Sequence, residues 1–316
     1  MSRLLVASQL QPAFNASLVE YTPEVEIISI PAGPPTSLPR SAEIFVAAPF
    51  RKAGGVLPDS PPPGWPFDLR WVQLVSVGID FYPSWLFDGP VVTCARGSSA
   101  VALAEFALAA ILAAAKRLPE IWIDHPERWA PLPLSLIDGT TLGLVGFGAI
   151  GEALAPRAQA LGLKVIATRR SDAPIPTPGV RRAESLEALF AESDHVVLAA
   201  PATPETERMI NRQVLAHAKP GLHLINVARG ALIDDKALLE ALAEGRLSLA
   251  SLDVAHPEPL PVCHPFYGHP RIRLSPHTSV HTPDTRRNLA VRFADNLDRF
   301  RRGEPLADVI DPARGY

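Results

Sequence analysis

Short apolar runs separated by proline, glycine or serine recur along the N-terminal third of the chain. Five of them have the length of strands, at residues 4–7, 25–30, 44–47, 72–77 and 91–94. Apolar runs bounded by turn-forming residues predict β-strands. Their alternation with polar segments predicts a small α/β unit with a parallel sheet.

A longer apolar stretch follows from residue 99 to about residue 117 and predicts a helix. Its most apolar window, residues 100–115, is shorter than a bilayer span and contains Glu105. We therefore expect a buried helix and no membrane partner. Residues 119–133, which include Trp129, predict an irregular connection.

Strand-like and helix-like segments continue to alternate in the second half of the chain. We predict strands at residues 142–145, 164–168, 195–200, 222–227, 249–254 and 271–274, and helices at 186–191, 212–218 and 235–244. This order suits a doubly wound parallel sheet. The amphipathic helix predicted at 283–300 is expected to return to the first domain. The predicted domains are residues 1–97 with 283–316, and an inserted domain of residues 98–282.

A glycine-rich segment lies where the first strand of the inserted domain passes into a helix. Gly146 permits a tight turn, Gly148 allows the backbone to approach a pyrophosphate, and Gly151 allows close helix–strand packing. Glycine turns are common between strands and helices, but the flanking strands favour a dinucleotide site over a structural turn. The candidate cofactor residues here are Gly146, Phe147, Gly148, Ala149 and Ile150.

Three later strands end in charged or titratable residues: Arg229, then Asp253 with Glu258, and His277. Each alone is more often a surface charge, a solvated loop residue or a structural side chain than a functional one. Open α/β sheets bind ligands beyond the carboxyl ends of their strands. Three such ends in one nucleotide-binding sheet therefore predict an active site.

Composition indicates which class of partner is excluded and which redox compartment the chain occupies. The net charge of −3 argues against a general nucleic-acid binder. Two cysteines cannot form a disulfide framework, and they indicate a reducing compartment, which we take as the cytoplasm. No metal site is predicted.

The chain resembles the D-isomer-specific 2-hydroxyacid dehydrogenases over nearly its whole length. The matching motifs lie in order at residues 75–80, 104–108, 143–151, 201–206, 226–230, 252–254, 258–260 and 275–277. The resemblance implies two Rossmann-like domains, in which a doubly wound dinucleotide domain is inserted in a smaller flavodoxin-like substrate domain. It also implies an active site in the cleft and a homodimer formed through the dinucleotide domain.

The resemblance implies a role for each candidate of the active site. Arg229 would bind the substrate carboxylate and oxo group, His277 would be the acid/base, and Glu258 would orient it. Backbone amides of Val77 and Gly78 would bind the substrate carboxylate. The implied coenzyme contacts are nicotinamide at Ala228 and Asp253, pyrophosphate at Ala149, Ile150 and Thr206, and the cleft wall at Pro201. Ala200 and Val227 are further candidate cofactor-binding residues.

The coenzyme is predicted to be NADP, with NAD as the alternative. The second strand of the inserted domain ends in Thr168, Arg169 and Arg170, where an NAD-binding member has an acidic residue. Asp172 is close in sequence to the end of this strand and could be the acidic residue of an NAD site, so NAD remains the alternative. The alternative interpretation of Arg169 and Arg170 is that they are solvated loop charges.

These features predict an NADPH-preferring reductase of small 2-oxo acids, of the glyoxylate or hydroxypyruvate type, which yields D-2-hydroxy acids. Formate and phosphite dehydrogenases share the scaffold, but no residue here points to their substrates. A nucleotide-sensing corepressor on the same scaffold is the alternative from another functional class, and turnover would separate the two.

Overall fold

The computed structural model describes residues 4–36, 38–39, 41–50, 57–171 and 173–315. The chain divides into two compact units, one of Met1–Ser99 with His281–Tyr316 and one of Ala100–Val280. Each unit has a parallel β-sheet with helices packed against it. The predicted fold class, with one α/β domain inserted in another, is confirmed.

The first unit begins with five strands and one helix. In chain order they are β1 (Leu4–Ser8), α1 (Pro12–Tyr21), β2 (Val25–Ser29), β3 (Ala42–Ala47), β4 (Trp71–Leu74) and β5 (Val91–Thr93). The strands form one sheet in the order β2-β1-β3-β4-β5, with every pair parallel. A short 3-10 helix, Ser84–Phe87, packs on one face of this sheet through Trp85 and Leu86.

The second unit contains seven strands and five helices among the described residues. In chain order they are α2 (Ala100–Ala115), β6 (Thr141–Val145), α3 (Ala149–Ala160), β7 (Lys164–Thr168), β8 (Val180–Arg182), α4 (Leu186–Glu192), β9 (His195–Leu198), α5 (Arg212–Ala216), β10 (Leu222–Asn226), α6 (Asp235–Ala243), β11 (Leu247–Leu252) and β12 (Ile272–Leu274). The sheet order is β12-β11-β10-β9-β6-β7-β8. The chain reverses its direction of travel between β6 and β9, which is where a doubly wound sheet binds its ligand.

Two apolar layers enclose this second sheet. Side chains of α2 and α3 pack on one face, and side chains of α4, α5 and α6 pack on the other. Because both faces are covered, the central strands are almost continuously apolar, as buried parallel strands are.

The last helix, α7 (Pro283–Arg302), completes the first unit. Thr282 caps its first turn by accepting a hydrogen bond from the Thr285 amide, and Gly303 ends it in the left-handed conformation at φ 67°. The Phe293 ring stacks on Trp71 of β4 with centroids 5.0 Å apart. This stacking buries the apolar face of α7 against the sheet.

Some elements differ from the sequence predictions. The fourth strand ends at Leu74 rather than residue 77, because the Ser76 hydroxyl donates to the Gly78 carbonyl at 2.8 Å and closes a turn. Helix α1 and strand β8 were not predicted. Strand β8 has only three residues, of which two are exposed arginines, so it lacks an apolar pattern. No described helix has the length and apolar character needed to cross a membrane.

Candidate active site

The glycine-rich turn between β6 and α3 depends on Gly146. Its φ is +91°, and a Cβ there would lie 2.9 Å from the backbone of Ala200, just beyond β9. A side chain at this position would therefore separate the ends of two adjacent strands. Gly151 is needed for packing, since a Cβ there would lie 2.9 Å from the Phe147 ring. Phe147 is buried in the core, so only its backbone is available to a ligand.

The first turn of α3 is suited to an anion. Gly148 is the N-cap residue and provides no side-chain cap, and an ideal Cβ built on it meets no atom within 4 Å. The amides of Ala149 and Ile150 lie in this first turn, where the helix dipole favours negative charge. Open space beside uncapped donors fits the pyrophosphate of a dinucleotide.

The end of β7 is tied to this turn. The Thr168 hydroxyl accepts a hydrogen bond from the Gly146 amide at 3.4 Å. Arg169 donates from Nη1 to the Pro174 carbonyl at 3.1 Å, and Arg170 is exposed. Asp172, the residue that left NAD open, lies outside the described residues.

The loop after β9 contains two further cofactor candidates. The Thr206 hydroxyl donates to the Pro201 carbonyl at 2.8 Å and accepts from the Thr203 amide at 2.8 Å. These bonds fix the turn from within. A pyrophosphate contact through this hydroxyl would have to replace its bond to Pro201.

The turn that carries Arg229 is shaped by a residue absent from the predicted site. Asn226 ends β10, and its Oδ1 accepts from the Ala228 amide at 3.0 Å while its Nδ2 donates to the Arg229 carbonyl at 2.8 Å. The Arg229 guanidinium donates from Nη1 to the Ala228 carbonyl at 2.8 Å. Val227 and Ala228 are buried beside it. A polar side chain at the end of a buried strand is the signal that could have identified Asn226.

The Arg229 turn touches the segment that carries Glu258. A Cβ on Gly230 would lie 2.0 Å from the carbonyl carbon of Ala255. Glu258 folds back onto the same segment, because its Oε1 accepts from the Ala255 amide at 3.0 Å. The glycine therefore lets the arginine turn and the glutamate segment lie in direct backbone contact.

Glu258 and His277 form a pair. The Oε2 of Glu258 lies 2.9 Å from Nδ1 of His277, with side chains 19% and 26% exposed. Partial burial reduces solvent screening, and the bond fixes the orientation of the imidazole ring. The His277 backbone has φ 51°, an uncommon conformation for a residue other than glycine.

Asp253 anchors the backbone around His277. Its Oδ1 accepts from the Ser275 hydroxyl at 2.6 Å and the Thr278 amide at 3.0 Å. Its Oδ2 accepts from the amide and the hydroxyl of Ser279, the amide at 3.1 Å. A carboxylate has about four acceptor positions, so this buried group is fully used. A nicotinamide amide, the contact implied for Asp253, would have to share one of its oxygens.

The first unit carries the other substrate candidates. Val77 and Gly78 follow β4 in the turn closed by Ser76, and Val77 is exposed. Neither amide has a hydrogen-bond partner within the described ranges. Two adjacent donors of this kind suit a carboxylate. Across the described residues, no cluster of three or more His, Cys, Asp or Glu side chains is arranged to hold a metal ion.

Comparison with known proteins identifies the family. The sequence model of the D-isomer specific 2-hydroxyacid dehydrogenase, NAD binding domain, matches residues 108–279. The chain is 35% identical over 261 residues to glyoxylate/hydroxypyruvate reductase A of Serratia proteamaculans, covering 78% of this chain and 82% of that protein. The chain belongs to the D-isomer specific 2-hydroxyacid dehydrogenase family.

Other members of this family support the assignment. The chain is 38% identical over 287 residues to a glyoxylate reductase of Korarchaeum cryptofilum, covering 86% of this chain and 80% of that protein. A D-isomer specific 2-hydroxyacid dehydrogenase of Xanthobacter autotrophicus Py2, solved with NADPH and MES, superposes with a TM-score of 0.80 at 26% identity over the whole of both chains. The predicted enzyme class, an NAD(P)-dependent 2-hydroxyacid dehydrogenase, is confirmed.

Proposed function

We propose that this enzyme reduces glyoxylate, hydroxypyruvate and similar small 2-oxo acids to D-2-hydroxy acids, with NADPH as the preferred coenzyme. The 2.9 Å pair of Glu258 and His277 carries the proposal, because it combines a titratable donor with the anion that supports it. The names of the Serratia and Korarchaeum relatives support the choice of substrate.

Arg229 is proposed to hold the substrate. A guanidinium is planar and can donate two parallel hydrogen bonds, which matches the carboxylate and adjacent oxo group of a 2-oxo acid. Its turn is clasped by Asn226 and packed against Ala255. This support fixes the backbone from which the Arg229 side chain extends at the end of a buried strand, and orientation of a small substrate requires such a fixed base.

His277 is proposed to give a proton to the carbonyl oxygen of the substrate. When bound, the reduced nicotinamide supplies the hydride. The Nδ1 atom of His277 is bonded to Glu258, so Nε2 is the atom assigned to the substrate oxygen. Glu258 orients the imidazole ring through its contact with Nδ1, and Asp253 fixes the surrounding backbone.

The substrate carboxylate is further proposed to accept hydrogen bonds from the amides of Val77 and Gly78. Their lack of partners within the described part of the chain supports this role. These backbone amides can bind the carboxylate of any small 2-oxo acid. They therefore contribute to affinity more than to selectivity among substrates.

The coenzyme preference rests on charge. Thr168 ends, and Arg169 and Arg170 directly follow, the strand that delivers side chains to the adenosine ribose in this fold. A 2′-phosphate adds roughly two negative charges at pH 7, which the arginines attract. The NADPH in the Xanthobacter structure supports the same choice.

We also propose a homodimer in the cytoplasm. Large apolar side chains are exposed on the segment after α2, with Trp122 66%, Leu136 76% and Trp129 81% exposed. Apolar patches of this kind mark interfaces, and a second copy of the chain is the partner that the family resemblance implies. Sedimentation equilibrium should give a dimer, and a monomer at micromolar concentration would contradict it.

The proposed compartment rests on the cysteines. Both cysteines are free, which suits a reducing compartment such as the cytoplasm.

A substrate and coenzyme panel tests the proposed function. Glyoxylate, hydroxypyruvate, pyruvate and bulkier 2-oxo acids are each assayed with NADPH and with NADH, by loss of the reduced-nicotinamide absorbance. Glyoxylate and hydroxypyruvate with NADPH should give the highest kcat/KM. Absence of turnover with every 2-oxo acid would refute the reductase, and a preference for NADH of tenfold or more would refute only the coenzyme choice.

A further inference from the structure

Strand β8 places an arginine beside the end of β7. The two strands pair in parallel, with Arg181 opposite Ile166 and Arg182 opposite Ala167. Arg182 donates from Nη2 to the backbone carbonyl of Arg169 at 3.2 Å. The guanidinium of an edge strand therefore reaches the first residue after the adjacent strand.

The two arginines of β8 serve opposite faces of the sheet, since successive side chains of a strand alternate. Ala167, the partner of Arg182, packs with residues of α3, the helix that follows the glycine-rich turn. Ile166, the partner of Arg181, packs with residues of α4, and Arg181 itself forms an ion pair with Glu192 of that helix. Only Arg182 is thus on the face of the candidate coenzyme site.

Arg169 and Arg170, the two arginines of the predicted site, each interact with a neighbouring group. Arg169 donates to the Pro174 carbonyl. A hydrogen bond from Thr203 and, more weakly, the positive charge of Arg170 hold the pKa of the exposed Glu205 carboxyl below its ordinary value. Arg170 therefore lies within electrostatic reach of an acid.

We infer that Arg182 is a third cationic ligand for the 2′-phosphate of NADPH, together with Arg169 and Arg170. This inference rests on the proposed coenzyme preference. A phosphate offers three acceptor oxygens, and a guanidinium presents donors in a planar fork that matches two of them. Arg182 belongs to β8, so it adds a guanidinium from outside the segment that carries Arg169 and Arg170.

Binding of small nucleotides tests the assignment without catalysis. Calorimetric titration with 2′,5′-ADP and with 5′-AMP gives the affinity ratio that reports the 2′-phosphate alone. In Arg182→Gln this ratio should fall about tenfold, the low end for an exposed charge-assisted hydrogen bond. In Arg182→Lys the fall should be smaller, because the charge remains and the fork is lost. Arg181→Gln is the matched control and should leave the ratio unchanged.

Each outcome has a distinct meaning. A lower ratio in Arg182→Gln but not in Arg181→Gln supports the role of Arg182. If the unmodified enzyme discriminates between the nucleotides and the two glutamine variants behave alike, Arg182 is not a ligand and the coenzyme preference stands. If the unmodified enzyme binds 2′,5′-ADP and 5′-AMP equally, both the role of Arg182 and the preference for NADPH are refuted. Reduction of 2-oxo acids with NADH would still establish the reductase activity. If Arg182→Gln does not fold, the affinity ratio in Arg182→Lys is the deciding measurement. An unchanged ratio in that variant would refute binding of the 2′-phosphate by the Arg182 guanidinium.

Discussion

Asp253 shows how one buried carboxylate can fix the backbone of the residue proposed as the proton donor. Its two oxygens accept four hydrogen bonds from Ser275, Thr278 and Ser279, and its carbonyl accepts from the His277 amide at 2.7 Å. These bonds hold His277 in a backbone conformation that a non-glycine residue seldom adopts. The segment is therefore fixed before substrate arrives, and little reorganisation is left for the reaction.

Replacement of His277 tests the proton donor. His277→Gln should lower kcat by roughly 10²–10⁴, the range for a positioned general acid. The amide keeps a polar group beside Glu258 but cannot donate a proton in the reaction. Steady-state kinetics with glyoxylate measure the loss, and coenzyme titration is the control for an intact site. A kcat within about threefold of the unmodified enzyme would be too small an effect for a general acid and would exclude the role.

Replacement of Glu258 tests the pairing. Glu258→Gln removes the carboxylate 2.9 Å from Nδ1 of His277, so the ring loses the acceptor that orients it. The carboxylate acts on the ring and not on the substrate, so kcat for glyoxylate should fall while KM and coenzyme affinity change little. The measurement is kcat and KM in steady-state kinetics, with coenzyme titration as the control. An unchanged kcat would show that the two side chains are not coupled during catalysis.

At the scale of elements, Gly230 and Gly148 differ in the physical reason for which the position lacks a side chain. Gly230 is required by packing, because Ala255 occupies the position of a side chain. Gly148 has open space at its Cβ and a backbone conformation, φ −123°, that other residues adopt. The space at Gly148 is therefore available to a ligand rather than used by the fold.

Alanine at each glycine separates these reasons. Gly148→Ala should leave the melting temperature nearly unchanged and weaken coenzyme binding, since the new methyl group occupies the approach to α3. Gly230→Ala should lower the melting temperature, because overpacking of this kind costs about 1–3 kcal/mol. Thermal unfolding and coenzyme titration of both variants are the measurements. Equal stability of the two variants would contradict the assignment.

The elements that could be predicted are those with an apolar pattern. Strands β6, β7 and β10 lie within one residue of their predicted bounds, because each has a run of three or more consecutive buried residues. Strand β8 could not be predicted, since it forms by pairing with β7 and exposes its two arginines. For the same reason Arg182 was absent from the predicted site, although Arg169 and Arg170 were included.

At the scale of the whole molecule, a pair of histidines, His223 buried and His195 half-buried, links stability to pH. His195 and His223 lie on adjacent strands with ring centroids 5.8 Å apart, and the Nδ1 atoms of both lack a hydrogen-bond partner within the described ranges. Burial, followed by the charge of His195, lowers the pKa of His223 to about 3. Burial also lowers the pKa of His195.

The sign of the resulting pH dependence follows from linkage. Unfolding returns His223 toward its ordinary pKa of 6.5, so below that pH the unfolded chain binds more protons than the folded one. Stability should be complete above about pH 6.5 and decline as pH falls toward 5. His223→Gln, which can keep a bond to Ser251, should flatten the decline, whereas His217→Gln at an exposed site should not. Melting temperatures across this range that decline equally in both variants would refute the linkage.

The parts of the site differ in how far the sequence could predict them. Motif order placed His277 and Glu258 in one site, and the structure brings them to 2.9 Å. Their catalytic roles remain predictions. The support given by Asn226 and the hydrogen bonds of Asp253 depend on side-chain directions in loops, and no periodic pattern encodes those directions. Substrate choice depends on such loops as well, which is why assay decides it.

Removal of the Arg229 guanidinium tests the central claim most directly. If Arg229 binds the 2-oxo acid, Arg229→Ala should nearly abolish kcat/KM for glyoxylate while leaving the fold and coenzyme affinity largely intact. Arg229→Lys should recover little, because an ammonium cannot reproduce the planar fork. The measurement is kcat/KM for each variant with NADPH, together with coenzyme titration. Near-normal kcat/KM in Arg229→Ala would contradict the account.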